Sequence, residues 1–175
     1  MSPRIKKWLQ ALGFLLIIYA TIPLGRPIAD FLKERIPFNQ FVNIAYVLAV
    51  ANAFIFLLCK FRIKKVSTYF LLSILIGIYM YFAGYMRIPI EKIHFLEYGF
   101  LAFLIFRALK VDMPNVLAYI LTFVIAGALG WMEEGLQALT PGRYYDPRDI
   151  LFNIIGSFMG ILVTCCVNRE MKSST

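Results

Sequence analysis

Six long apolar runs, separated by short polar connectors, make up most of this chain. Each run is close to the roughly 20 helical residues that cross the hydrocarbon core of a bilayer. The pattern therefore predicts an all-α membrane protein, built as a six-span helical bundle. The predicted spans cover residues 9–24, 40–58, 68–86, 93–109, 115–139 and 150–167.

The first run follows a basic N-terminal segment, as in a signal peptide, but no small-residue cleavage motif comes after it. We expect a retained span that ends at Pro23, Gly25 and Pro27, because proline interrupts the hydrogen-bond ladder of a helix. In connector 26–39 apolar residues recur at helical spacing, which predicts a short amphipathic helix at the membrane interface.

Composition supports a membrane protein with a single transmembrane domain over residues 1–175. Charged residues make up only 16% of the chain, against about 25% in soluble domains. The net charge of +8 comes from basic residues in the connectors, so it indicates contact with membrane lipids rather than with nucleic acid. The three cysteines form neither an even-numbered nor a CxxC framework, which argues against disulfides and a zinc site.

The basic residues also predict an orientation. More of them lie at the two termini and in the connectors on that side than in the opposite connectors. By the positive-inside rule, both termini are expected in the cytoplasm. The start of the fourth span, the end of the fifth and the start of the sixth then lie at the outer face.

Residues 130–160 concentrate the polar chemistry of the chain. Glu133 and Glu134 lie late in the fifth run, Gln137 follows one turn later, and the polar loop 141–148 leads into the sixth run. Ionisable groups within a membrane segment are costly and usually face a bundle interior or a watery cavity. We therefore interpret this stretch as a site.

The fourth span adds a polar face of its own, because His94, Glu97 and Tyr98 are spaced i, i+3 and i+4. Three helices are thus expected to bring polar faces together under the loop. The candidate catalytic residues are His94, Glu134 and Asp149. The candidate ligand-binding residues are Lys92, Glu97, Tyr98, Glu133, Gln137, Arg143 and Asn153. No motif specifies a cofactor.

Some of these residues have an equally good structural interpretation. Asp149 is suited to cap the sixth helix or to occupy its first turn, as well as to contact a ligand. Arg143 is as well explained by a bidentate ion pair with Glu133, Glu134 or Asp146 as by a phosphate contact.

Two further interpretations concern neighbouring helices. Gly156 and Gly160 form a small-xxx-small pair, for which close helix packing is the main interpretation.

His94 fits a structural hydrogen bond as well as a ligand or proton-transfer role. Adjacent helical residues point about 100° apart, so we expect one of Glu133 and Glu134 to face a neighbouring helix and favour Glu134 as the one facing the site.

The segments EKIHFLEYGFLAFL at 91–104 and GWMEEGLQALTPGRYYDPRDILFNIIGSFMG at 130–160 resemble the VanZ-like family of bacterial membrane proteins. That family combines a Lys/His/Phe/Tyr element, an acidic segment ending in Gln, a Pro-Gly-Arg turn and a helix with Asp, Asn and Gly. Glu133 stands where Asp is common. The matching residues are Lys92, His94, Phe95, Tyr98, Glu134, Gln137, Pro141, Gly142, Arg143, Asp149, Asn153 and Gly156.

The resemblance covers residues 87–165, about half of the chain. It implies a multi-pass protein of a bacterial cytoplasmic membrane that acts near the envelope surface. The family takes its name from a member associated with resistance to teicoplanin rather than vancomycin. The resemblance therefore implies a lipid-linked or glycopeptide ligand as a partner, beside the membrane lipids.

Four functions are compatible with these patterns. The favoured one is envelope protection or lipid handling, with an outward pocket that binds a headgroup through Arg143 and Lys92. The alternative is a membrane-embedded enzyme. It would use His94 with carboxylates for acid–base chemistry, or hold a divalent metal with His94, Glu97, Glu134 and Asp149.

The other two are a proton-coupled transporter and a scaffold protein whose polar cluster only stabilises the fold. A transporter needs polar groups that continue toward the cytoplasmic side. The inner halves of the spans are expected to be apolar apart from scattered residues such as Asn43, Asn52, Ser73 and Thr122, which argues against transport.

Overall fold

The structure, a computed structural model, describes residues 1–61, 63–86 and 89–173, with the side chains of 89–90 and 170–173 left aside. Arg87 and Ile88, with which the predicted motif region opens, lie outside the described residues. The helices are α1 (Pro3–Lys33), α2 (Phe38–Phe61), α3 (Val66–Tyr85), α4 (Pro89–Leu109), α5 (Asn115–Ala138) and α6 (Pro147–Ser173). The predicted all-α bundle of six helices is confirmed for these residues.

Five of the six helices are long and apolar enough to cross a membrane, as expected of a multi-pass membrane protein. The exception is α4, which carries Glu91, Lys92, Glu97 and Arg107 along its length. It is also the central helix, packed against α1, α2, α5 and α6. Packing against these neighbours buries Glu91 and partly buries Lys92, Glu97 and Arg107. Charged residues of membrane bundles usually face the bundle interior in this way. Its membrane crossing stays a prediction.

The expected end of α1 is wrong. The helix continues through Pro23 and Pro27 to Lys33, so connector 26–39 contains no separate amphipathic helix. The extension is held by tertiary packing, because Ala29 is buried against Phe38 and Val42 at the start of α2. Burial against a neighbouring helix outweighs the helix-breaking tendency of proline here.

Two hydrophobic clusters pack against α4. One joins α4 to α1 and α5 and is centred on Tyr98, Leu101 and Phe106. The other joins it to α3 and α6, where Tyr79 packs edge-on against Phe95 with ring centroids 4.8 Å apart. The central helix therefore sets the relative positions of the elements around it.

The closest contact in the bundle lies between the backbones of α4 and α6. A Cβ atom placed on Gly160 would lie 2.2 Å from the carbonyl oxygen of Gly99, and one on Gly156 would lie 2.5 Å from that of Phe95. No side chain fits at either position. The predicted packing role of Gly156 and Gly160 is confirmed, and α4 is the partner.

We predict that Gly160→Ala destabilises the protein by about 1–3 kcal/mol, the usual cost of overpacking a core, because the added methyl group meets a backbone atom that cannot rotate away. Thermal unfolding in detergent measures this change. The matched control is Gly77→Ala on α3, where an added Cβ has nothing within 4 Å. Equal stability of the two variants would contradict the close α4–α6 contact.

Candidate functional site

Polar side chains from three helices and one loop meet at one end of the bundle. The first turns of α4, the last turns of α5 and the first turns of α6 converge there, beneath the loop 139–146 that joins α5 to α6. Gly142 turns this loop with a φ of 77°, a backbone conformation that favours glycine. Of the candidate residues, His94, Glu133, Glu134, Gln137 and Asn153 are all buried.

His94 lies between two carboxylates. Its Nδ1 atom is 3.3 Å from Oε1 of Glu133 and 3.5 Å from Oε2 of Glu97. These contacts are within ion-pair distance but are not aligned as hydrogen bonds. The hydroxyl of Tyr98 also lies beside the Glu133 carboxylate. His94, Glu97 and Tyr98 therefore share one face of α4, as their spacing predicted, and this face lies against the end of α5.

Glu133 and Glu134 both face the interior, and each is 0% exposed. The side-chain amide of Gln137 joins them, because its Nε2 donates to Oε1 of Glu134 at 2.9 Å and to Oε1 of Glu133 at 3.3 Å. The other oxygen of Glu134 accepts the backbone N–H of Asp146 at 3.2 Å. Both glutamates thus belong to one cluster, in which Glu133 lies beside His94 of α4 and Glu134 beside the loop. Which of the two faces a ligand stays a prediction.

Arg143 reaches this cluster through Gln137. Its Nε donates to the Gln137 side-chain oxygen at 3.1 Å, and its Nη2 donates to the same atom. Among the described residues no carboxylate lies within ion-pair distance of Arg143, so the expected ion pair with Glu133, Glu134 or Asp146 is wrong. The Gln137 amide separates the charges because it donates to the acids and accepts from the guanidinium.

The cap of α6 belongs to Asp146 rather than to Asp149. Asp146 precedes the helix, and its Oδ1 accepts the backbone N–H of Arg148 at 2.9 Å. The guanidinium of Arg148 also binds both Asp146 oxygens, which lowers the pKa of this carboxyl below its usual range. Asp149 lies in the first turn instead, with one buried oxygen that has no hydrogen-bond partner among the described residues.

The long α1 reaches the site, which the sequence pattern did not reveal. Arg26 donates to the carbonyl oxygen of Gly142 and lies over the ring of Tyr144, with its guanidinium carbon 5.4 Å from the ring centroid. Tyr19 donates to the carbonyl oxygen of Leu129 at 2.8 Å. These contacts join residues more than 100 positions apart in the sequence. Helical spacing relates only residues of one helix, so it could not predict them.

Lys92 points away from the carboxylate cluster. Its Nζ donates to the side-chain oxygen of Asn43 on α2 at 2.6 Å. Asn43 was expected in the inner half of the second span, but this contact places it level with the start of α4. It therefore belongs to the polar end of the bundle.

Seven buried side-chain atoms at this end have no hydrogen-bond partner among the described residues. They are Nδ1 and Nε2 of His94, the Tyr98 hydroxyl oxygen, Oε2 of Glu133, Oδ1 of Asp149, and Nδ2 and Oδ1 of Asn153. The Tyr98 hydroxyl and the Glu133 carboxylate lie beside each other and can satisfy one another in part. The remaining atoms still mix donors with acceptors, so the set is suited to a ligand that offers both. In the described part of the chain, no three His, Cys, Asp or Glu residues have the geometry to hold a metal ion.

Comparison with known proteins adds no assignment: no family model, no curated protein and no solved structure matches this chain.

We predict that Gln137→Leu destabilises the protein by about 1–3 kcal/mol, the cost of leaving buried polar groups without partners, because both glutamates and Arg143 lose contacts. Thermal unfolding in detergent measures the difference. The control is Gln10→Leu, the same substitution at an exposed position of α1, which we expect to stay within about 0.5 kcal/mol of the wild type. An unchanged Gln137→Leu variant would show that this amide does not hold the cluster together.

Proposed function

We propose that this chain is a VanZ-like protein of a bacterial cytoplasmic membrane, with both termini in the cytoplasm and the polar site at the outer face. The site binds the polar headgroup of an envelope amphiphile, either a lipid-linked precursor or a lipid-bearing glycopeptide. Binding of such a ligand protects the cell against teicoplanin. The observation that carries this proposal is the mixed set of buried, unpartnered donors and acceptors at one end of the bundle.

The free energy of these groups supports a ligand. Each buried polar group without a partner costs about 1–3 kcal/mol, and a ligand that supplies the missing hydrogen bonds recovers part of that cost. Sugar and peptide headgroups offer hydroxyl and amide donors together with carbonyl acceptors. They therefore match a site whose free atoms come from carboxylates, an imidazole, a phenol and an amide.

The charges of the site indicate which headgroups fit. Arg143 is held through a neutral amide rather than by a carboxylate, so its positive charge is available to a carboxylate or phosphate of the ligand. The buried acids Glu133 and Glu134 instead favour hydroxyl or ammonium donors. A headgroup that carries both kinds of group satisfies the site best.

A second candidate function is acid–base catalysis on the same headgroup. The observation in its favour is that Nδ1 of His94 is within 3.3 Å of Glu133, while Nε2 has no partner among the described residues. A carboxylate that aligns with one ring nitrogen when substrate binds would orient the histidine, whose other nitrogen exchanges protons. Mass spectrometry of the ligand recovered after incubation with proteoliposomes separates the candidates, because binding alone leaves the ligand mass unchanged.

We predict that the wild type protects a susceptible Gram-positive host against teicoplanin but not vancomycin, and that Glu134→Gln abolishes this protection. The substitution removes the negative charge of this carboxylate. A glutamine has only one acceptor oxygen, so it cannot accept hydrogen bonds from both Gln137 and Asp146. Paired susceptibility assays at matched membrane levels measure the effect. The control is Glu34→Gln, the same change at an exposed residue beyond α1.

Two results would contradict this proposal. One is the absence of protection by a well-expressed wild type. The other is full protection by Glu134→Gln, which would mean that the buried carboxylate takes no part.

A further inference from the structure

An apolar groove of about 390 Å³ lies between the second half of α2 and the helices α3, α4 and α6. Its lining includes Ala53 and Leu57 of α2, Leu72 of α3, Phe103 of α4 and Val163 of α6. It lies deeper along these helices than the polar site, toward the end of the bundle where α2 terminates. The groove is therefore a separate feature.

The groove exists because α2 packs against the bundle only along its first half. The buried residues of α2 are Phe38, Val42, Tyr46 and Val50, and residues 51–61 are all exposed or partly exposed. On the opposite wall, Gly99 and Gly160 bring no side chain into the space. The glycines that allow α4 and α6 to touch thus also leave room beside their contact.

Water is a poor occupant of this space. The polar lining residues already donate to carbonyl oxygens within the protein: Asn52 to Leu48, Thr164 to Gly160 and Tyr79 to Gly156. A buried water needs two to four polar partners, whereas an apolar cavity of about 150 Å³ stays dry and takes up small hydrocarbons. The larger apolar groove between membrane-spanning helices is thus suited to hydrocarbon.

The surroundings of the groove indicate the source of that hydrocarbon. Its rim includes Phe56 and Phe100, which are 55% and 47% exposed and face outward from the bundle. The walls of the groove on α2, α3 and α6 belong to candidate membrane spans, so a bilayer around these helices would place lipid at its opening. One turn beyond Leu57, the exposed Lys60 ends the apolar part of α2, and a basic residue at that level attracts an anionic headgroup.

We propose that this groove binds one acyl chain of an anionic phospholipid, whose phosphate group lies near Lys60. The site goes beyond the headgroup function proposed above and lies toward the other end of the bundle. Its ligand is a component of the membrane itself, so occupancy does not require any ligand of the polar site.

Photo-crosslinking tests this proposal in proteoliposomes that contain phosphatidylglycerol with a diazirine in its acyl chain. Mass spectrometry of the labelled peptides should show preferential labelling of segments 52–57 and 160–164. Ala53→Trp fills the groove and should reduce that labelling several-fold, since an indole occupies the space of the chain. Ala51→Trp is the matched control, because Ala51 is exposed on α2 but does not line the groove.

A second variant tests the headgroup. Lys60→Gln should weaken labelling by the phosphatidylglycerol probe several-fold and leave labelling by a phosphatidylcholine probe with the same chain unchanged. Equal effects of Lys60→Gln on both probes, or none on either, would contradict the contact between Lys60 and the phosphate.

Two results would overturn the acyl-chain site. One is labelling of the exposed face of α5, for example at Ile120 and Val124, as strong as that of the groove segments. The other is equal labelling of Ala53→Trp and Ala51→Trp. Thermal unfolding of both variants verifies that they are folded, which we expect because both positions are exposed.

Discussion

The close contact between the backbones of α4 and α6 is the constraint on which the rest of the bundle depends. Only glycine at 156 and 160 lets the two helices approach this far. At the same end of the bundle, Asn153 of α6 and Tyr98 of α4 both lie against Gly130 of α5. The three helices are therefore held close together at the level where their polar side chains lie.

A second consequence is that α4 becomes the central helix of the protein. Its charged residues would be expensive in contact with lipid, and packing against four other helices leaves them buried or partly buried. The same burial makes the cluster costly in free energy, since Glu133 and Glu134 are removed from water and both depend on the side-chain amide nitrogen of Gln137. The headgroup ligand proposed above would offset part of this cost.

The sequence predicted what depends on spacing within a single helix. The shared face of His94 and Glu97 and the packing glycines of α6 are of this kind, because helical geometry relates residues three or four positions apart. It failed where distant segments meet. The extension of α1 beyond Pro23 depends on packing against α2, and Arg143 pairs with Gln137 rather than with an acid. Which of several possible partners a residue contacts depends on the tertiary structure, and helical spacing does not predict it.

The central claim is that the buried carboxylates serve binding rather than hold the fold together. The most direct measurement is the thermal stability of Glu133→Gln, which keeps the oxygen that accepts from Gln137 and removes a buried charge. The account predicts stability equal to or above that of the wild type, since replacing a buried charge by a neutral group is often neutral or stabilising. A decrease of about 2 kcal/mol or more in the free energy of unfolding would contradict it, because the carboxylate would then stabilise the fold.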